Sequence, residues 1–292
     1  MTGFSTAGRD RPRSHSIQNG LVAAAILVEF ILIIGHPLFG WGATTYAATP
    51  RPLVFNAPQP PSAQQVLLAL SSTAARLPAE VSTPRTPYAY VHRQEWHLPA
   101  AKRGQPPPSM ALPTVTESWL RPDGSGRVLS TTKKPKSSTT NDMVIPAGHP
   151  LPALSGSQAT LAGRLGMGYP SPTPPARQFM EFAALADGQP VSPPVQATLL
   201  KLLALVPGVV NSGTVTDRRG RPGVAVSLES DYTGVETLYT LVFDQSTGAL
   251  LEADQMLTGS PGNLDVPQGS VLSYTTYLTS GYVSSTAARP TS

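Results

Sequence analysis

Residues 209–257 read VVNSGTVTDRRGRPGVAVSLESDYTGVETLYTLVFDQSTGALLEADQML. Runs rich in Val, Leu, Thr and aromatic residues are separated here by turns that carry glycine. A spacing of roughly ten residues per strand is the mark of a meandering antiparallel sheet. It predicts strands over 209–217, 224–229, 235–244 and 249–257, with a fifth over 270–283. Asp217 and Asp244 could pass for an acid pair, but each heads a turn, where an aspartate bonds its own backbone. They are read as turn residues.

Upstream of this run the periodicity changes to helical. Residues 193–206 place Val195, Leu199, Leu202, Leu203 and Val206 on one stripe, with Ser192 as N-cap and Pro193 in the first turn. A modest helix is expected over 176–186. The first half has the same order of helix then strands. Ser62 and Gln65 form a capping-box pair opening a helix over 63–76, in which Val66, Leu67, Leu70 and Ala74 share a face. Residues 88–96 alternate, with Tyr88, Tyr90, His92, Gln94 and Trp96 on one side. Residues 114–121 and 127–132 form a hairpin around 122–126. Helices grouped before runs of strands indicate an α+β fold: a curved antiparallel β-sheet, half-barrel-like, covered by a few helices. The lysine- and proline-bearing stretch 133–175 is too long for an ordinary connection. It is expected to be a flexible loop or to hold one short element around 158–165.

The N-terminus decides location. Arg9, Arg11 and Arg13 precede the apolar run 21–34, and a mixed stretch continues to Trp41. Positive charge before one apolar segment directs export with the basic end left inside. The uninterrupted run is short for a span, and Glu29 at its centre costs roughly 2.5 to 3.5 kcal/mol on insertion scales. An uncleaved single-pass anchor over 21–41 is the reading taken, after a short cytosolic basic tail over 1–20. Cleavage before Ala48, giving a secreted chain, is the alternative. No cysteine is present anywhere, which excludes a lipoprotein anchor, disulfides and thiolate metal sites. A Pro-rich linker is expected over 42–61, an extracytoplasmic domain over 62–285 and a disordered tail over 286–292. Three of the positive charges lie before the membrane, so the net charge of +4 implies no nucleic-acid partner.

The stretches 192–209, 216–226 and 243–251, among them Ser192-Pro193-Pro194, Asp217-Arg218-Arg219-Gly220-Arg221-Pro222-Gly223 and Asp244-Gln245-Ser246-Thr247-Gly248, carry a resemblance. They resemble an actinobacterial family of membrane-anchored extracytoplasmic proteins found beside extracytoplasmic-function sigma factors. The likeness extends to the N-terminal segment and to 88–96. That family in turn is loosely similar to the lipoprotein-carrier and RseB-like fold, in which a curved antiparallel sheet is closed by helices over an apolar hollow. The resemblance implies no catalytic motif. The acidic residue in the apolar run and the lysine- and proline-rich middle depart from it.

Catalytic patterns lose to plainer readings. Ser130 and Lys133 match the acylating Ser-x-x-Lys pattern, but that chemistry needs a helix and companion motifs. His92 and His97 flank Glu95, yet an odd separation on a strand sends them to opposite faces. No cofactor, metal or catalytic residue is assigned. The aromatic stripe of Tyr88, Tyr90 and Trp96, continued by Trp119 on the neighbouring strand, is the one candidate ligand-lining surface; such a stripe otherwise forms ordinary core. The functional expectation is a non-enzymatic, membrane-tethered sensor or accessory protein of envelope signalling. Its exterior domain would bind a peptide or lipid, with a separate signalling protein as partner, since about twenty cytosolic residues cannot sequester a sigma factor. A soluble lipid or lipoprotein carrier is the alternative.

Overall fold

A computed structural model describes residues 49–56, 61–79, 81–99, 111–134, 136–154, 157–168 and 172–291. The apolar run 21–34 and the cleavage site before Ala48 lie outside the described residues. Among the described residues no helix is long and apolar enough to cross a membrane.

The elements follow in the order α1 (Ala63–Ala74), β1 (Tyr88–His97), β2 (Thr114–Leu120), β3 (Gly126–Lys134), β4 (Ser137–Ile145), α2 (Gln158–Arg164), α3 (Pro175–Asp187) and α4 (Pro193–Leu203). Strands β5 (Val210–Thr216), β6 (Pro222–Ser230), β7 (Thr237–Phe243), β8 (Leu250–Leu257) and β9 (Val271–Val283) complete the chain. Among the described residues the nine strands form one open antiparallel sheet in the order β4-β3-β2-β1-β9-β8-β7-β6-β5. Two meanders, β1–β4 and β5–β9, are therefore joined in the middle, where β9 returns to pair with β1. The fold is α+β, as the alternation of helical and strand periods indicates.

Three stretches differ from the sequence reading, the first being the expected disordered tail over 286–292, in which Thr286, Ala288 and Arg289 are hydrogen-bonded to β2 and β3. Residues 133–175 contain not only the short helix α2 but also a full strand, β4, paired with β3 along its whole length. Its sequence, SSTTNDMVI, shows no alternation because nearly every residue in it is solvent-exposed. The stretch expected to be a spacer is partly packed: Asn56 donates its backbone N–H to the Thr214 carbonyl at 2.9 Å, and Phe55 forms a β-bridge with Val215. Leu53 and Phe55 lie against Val215, Ala225, Val242 and Leu251, so this segment caps the β5 edge with apolar contact.

Helix α1 starts with the predicted capping box, in which the Ser62 hydroxyl accepts from Gln65 N and the Gln65 side chain accepts from Ser62 N. Leu67, Leu70 and Ala74 then face α4, and Ser71 donates to the Ala197 carbonyl at 2.7 Å. Ser192 makes no side-chain cap on α4. Pro193 and Pro194 have already removed two of the N–H groups a cap would serve. Helix α3 buries Phe179, Phe182 and Leu185. Phe182 meets Phe243 edge-on, ring centroids 5.6 Å apart.

All four helices lie on one side of the sheet, over its β5–β9 half. Their core partners there are Val224, Val226, Leu228, Leu241, Phe243 and Tyr239. The opposite residues of the same strands, Ala225 and Val242, point to the other side. Gly248, in the β7–β8 turn at φ 73°, fixes the approach of α1 to the sheet, since a Cβ there would stand 2.9 Å from the Leu70 carbonyl oxygen.

Candidate functional site

Helix α3 does not seal the sheet beneath it. Between them lies a half-enclosed cleft of about 500 Å³, within the range that holds small ligands. Phe179, Met180 and Ala183 form one wall, and Tyr239, Leu241 and Ala253 the other. These residues belong to the α3 stripe and to alternate positions of β7 and β8, so the helical and strand periods that build the core also build the cleft. Polar residues complete the lining: Arg177, Glu181, His97 and Gln255 with Tyr232, which is 41% exposed, and also Thr240, Thr275, Asp187 and Tyr277. Burial lowers the pKa of His97 more than the Glu95 carboxylate raises it, which favours the neutral imidazole.

The closed end of the cleft is a polar pier. The Tyr277 hydroxyl lies 2.9 Å from Asp187 Oδ1 and 3.0 Å from the Ala183 carbonyl oxygen. Arg93 donates to the Asp187 carbonyl at 2.6 Å and to Glu95 Oε2 at 3.1 Å. Desolvation raises the Asp187 pKa despite Arg93, and raises that of Tyr277 well above its ordinary value. Desolvation works against the charge on Arg93, but Asp187 and Glu95 outweigh it and the net shift is upward. On the other side of Tyr277 a second cavity of about 260 Å³ is lined by Val91, Ala186, Val191 and Leu278. The pier therefore separates two hollows under one layer of helices.

The aromatic stripe predicted from 88–96 exists as a stripe. Tyr88, Tyr90 and Trp96 alternate on β1, and Trp119 pairs directly with Tyr90 across β1–β2. It lies on the face opposite the helices, because Arg93, of the other parity, is the residue that reaches α3. The rings divide into two buried clusters. Tyr90 and Trp119, each 1% exposed, pack with Val283, Tyr88 and Ala288. Trp96 stacks near Tyr274, centroids 6.4 Å apart, and donates its indole N–H to the Ala111 carbonyl at 3.1 Å. None of the four lines either cavity described above.

Sequence reasoning passed over one further group on that face. Arg218 is ion-paired with Glu252 and donates its backbone N–H to Glu252 Oε2 at 3.0 Å. Its Nη2 lies 2.8 Å from Asp254 Oδ2 without hydrogen-bond alignment, and its guanidinium covers the Tyr274 ring at 4.3 Å. Two buried carboxyls thus share one cation. Desolvation pushes Asp254 up to about 7, with Glu252 adding to the shift and Arg218 opposing it. Two acids at alternate positions of an otherwise apolar strand were the available signal. Arg218 also donates to the Arg51 carbonyl at 3.1 Å, tying the cluster to the segment that follows the apolar N-terminus.

Ser130 and Lys133 sit three apart on β3 and so face opposite sides. The Asp217 carboxylate accepts from the backbones of Arg219 and Arg221, and that of Asp244 from Ser246 and Thr247, which are turn roles. Among the described residues no cluster of three or more His, Asp or Glu side chains could hold a metal ion. The sequence matches no protein-family model and no curated protein.

Proposed function

We propose that this chain is a non-enzymatic binding module, tethered to the membrane by residues 21–41, whose exterior domain takes the apolar chain of a lipid or peptide into the cleft beneath α3. The cleft carries this reading. Apolar walls from α3, β7 and β8, with a few polar groups among them and the Tyr277–Asp187 pair at one end, fit a ligand that is mostly hydrocarbon and carries a polar group. A half-barrel-like sheet with helices over a hollow is also the arrangement expected from the resemblance to membrane-anchored, sigma-factor-associated proteins and, more loosely, to lipoprotein carriers.

The attachment of residues 49–56 to the β5 edge would give a tethered sensor a firm join between anchor and domain. The segment arriving from the apolar N-terminus is fastened through Phe55 to β5 and through Arg51 to the β5–β6 turn, and with Leu53 it packs on a cluster that includes Val242 and Leu251 of β7 and β8, the strands that also line the cleft. A signalling protein would then read the domain's state from outside it, since the short cytosolic tail has too few residues to build a core.

A fluorescent fatty acid tests the cleft. The protein should bind it, and Ala183→Trp, which fills the cleft from α3 while leaving the Ala183 carbonyl in place, should lower the affinity by about 10-fold or more. Equal binding by the two proteins would overturn the assignment of the cleft. Fractionation into the soluble exterior pool, with a mature chain beginning at Ala48, would favour the carrier over the tethered sensor.

A further inference from the structure

Residues 284–291 close over Tyr90 and Trp119 on the face opposite helices α1–α4. Their mode of attachment is unlike core packing. Trp119 donates its indole N–H to the Ala288 carbonyl at 2.7 Å, and Arg127 donates to the Thr286 carbonyl at 3.1 Å. Arg289 is held in a two-pronged pair with Glu117, at 2.5 and 2.9 Å. Ala288 supplies the apolar contact. Among the described residues no β-bridge joins 284–291 to the sheet. The Arg289 side chain remains 56% exposed, against 13% for Glu117.

The surface below is rigid and fully built. Tyr90 and Trp119 are in ring contact, centroids 5.3 Å apart, and Tyr90 donates to Glu117 Oε1 at 2.6 Å, which aims the carboxylate that receives Arg289. The guanidinium groups of Arg127 and Arg289 stand 5.5 and 5.8 Å from the Trp119 ring. Fixed donors that grip main-chain carbonyls, here on and just after the turn closed by Ala288 N–H to the Ser285 carbonyl at 3.2 Å, beside one carboxylate fork for an arginine, recognise a segment by its backbone while ignoring most of its side chains.

We propose that Tyr90, Trp119, Glu117 and Arg127 form a receptor groove for a peptide in which a turn is followed by a small residue and then arginine, which the chain's own Thr286, Ala288 and Arg289 occupy in cis as an exchangeable strap. A tethered tail has a high effective concentration at its own groove. A partner peptide therefore competes poorly until the strap is weakened. This groove lies on the opposite side of the sheet from the cleft and does not depend on it.

The test uses the full chain and a labelled synthetic peptide of residues 284–292, read by fluorescence anisotropy. Arg289→Ala weakens the strap and should bind the peptide about 10-fold more tightly than the unmodified chain. The gain should vanish when Glu117→Gln is added, or when the peptide's own arginine is replaced by alanine. Should Arg289→Ala fail to fold, Arg289→Lys, which keeps the charge but loses the fork, carries the same comparison with a smaller gain. Equal affinity for a folded strap variant and the unmodified chain, or no binding by that variant, would overturn the proposal. So would a concentration-dependent dimer of the unmodified chain that Glu117→Gln abolishes, since the tail would then sit on a second copy.

Discussion

Tyr277 and Asp187 meet at 2.9 Å, hydroxyl to carboxylate, and that contact fastens the C-terminal end of α3 to β9 at the closed end of the cleft. Because Arg93 holds the Asp187 carbonyl from β1, the helix end is pinned to both central strands.

Tyr277→Phe removes the hydroxyl and leaves a buried carboxyl and the Ala183 carbonyl without that donor. Such a loss costs about 1–3 kcal/mol. Urea denaturation should show a destabilisation of this size. The Asp187 pKa should rise further, since the Tyr277 hydrogen bond now acts to lower it.

Asp254 gives the protein a pH dependence of defined sign. Its folded pKa, about 7, exceeds the ordinary 3.8, so the native state binds the extra proton. Its contribution to stability is complete below about pH 4 and is lost as pH rises through about 7. A shift of this size corresponds to a few kcal/mol, of the order of 4. Glu252 is shifted in the same direction by desolvation. Unfolding free energies measured between pH 4 and 8 should fall across that window, and Asp254→Asn should flatten the slope. An unchanged slope in the variant would show that the Arg218 cluster is not its source. Glu117, lowered chiefly by its bond from Arg289, acts oppositely: its contribution is present above its ordinary value near 4.5 and lost in more acid solution.

Gly248→Ala should cost about 1–3 kcal/mol, from placing a side chain at positive φ, because the new Cβ also meets the Leu70 carbonyl oxygen at 2.9 Å. The damage should concentrate at the seam between α1 and the sheet. Hydrogen exchange in residues 63–74 is expected to accelerate more than in β1–β4, where no contact changes.

Much of the fold was legible because two periods were. Val195, Leu199, Leu202 and Leu203 repeat as a helix must, and Val224, Val226 and Leu228, with the smaller Ala225 and Ser227 between them, alternate as a strand must. Strand β4 was invisible because Ser137 to Ile145 have no buried side to impose alternation on them. The side on which helices settle was also hidden. Alternation tells that Tyr90 and Trp96 share a face, but not that Ala89, Val91 and Arg93 would be the face turned to α3. The aromatic stripe was therefore found while its cover was not: Trp119 meets Ala288 across 169 positions of sequence. Arg218 and Asp254 likewise come together only once the β5–β6 turn folds beside β8; the alternate acids Glu252 and Asp254 signal a buried charge, but no local pattern names Arg218 as its partner. The cleft itself is a matter of how far α3 stands from the sheet, a distance that no sequence spacing encodes.

The cleft beneath α3 is the centre of the functional account, and methyl NMR reports on it directly. On titration with a long-chain fatty acid, the methyl resonances of Met180, Ala183, Leu241 and Ala253 should shift, while those of Val215 and Ala225 on the opposite face stay in place. Unmoved cleft methyls at saturating ligand, or shifts confined to the opposite face, would contradict it.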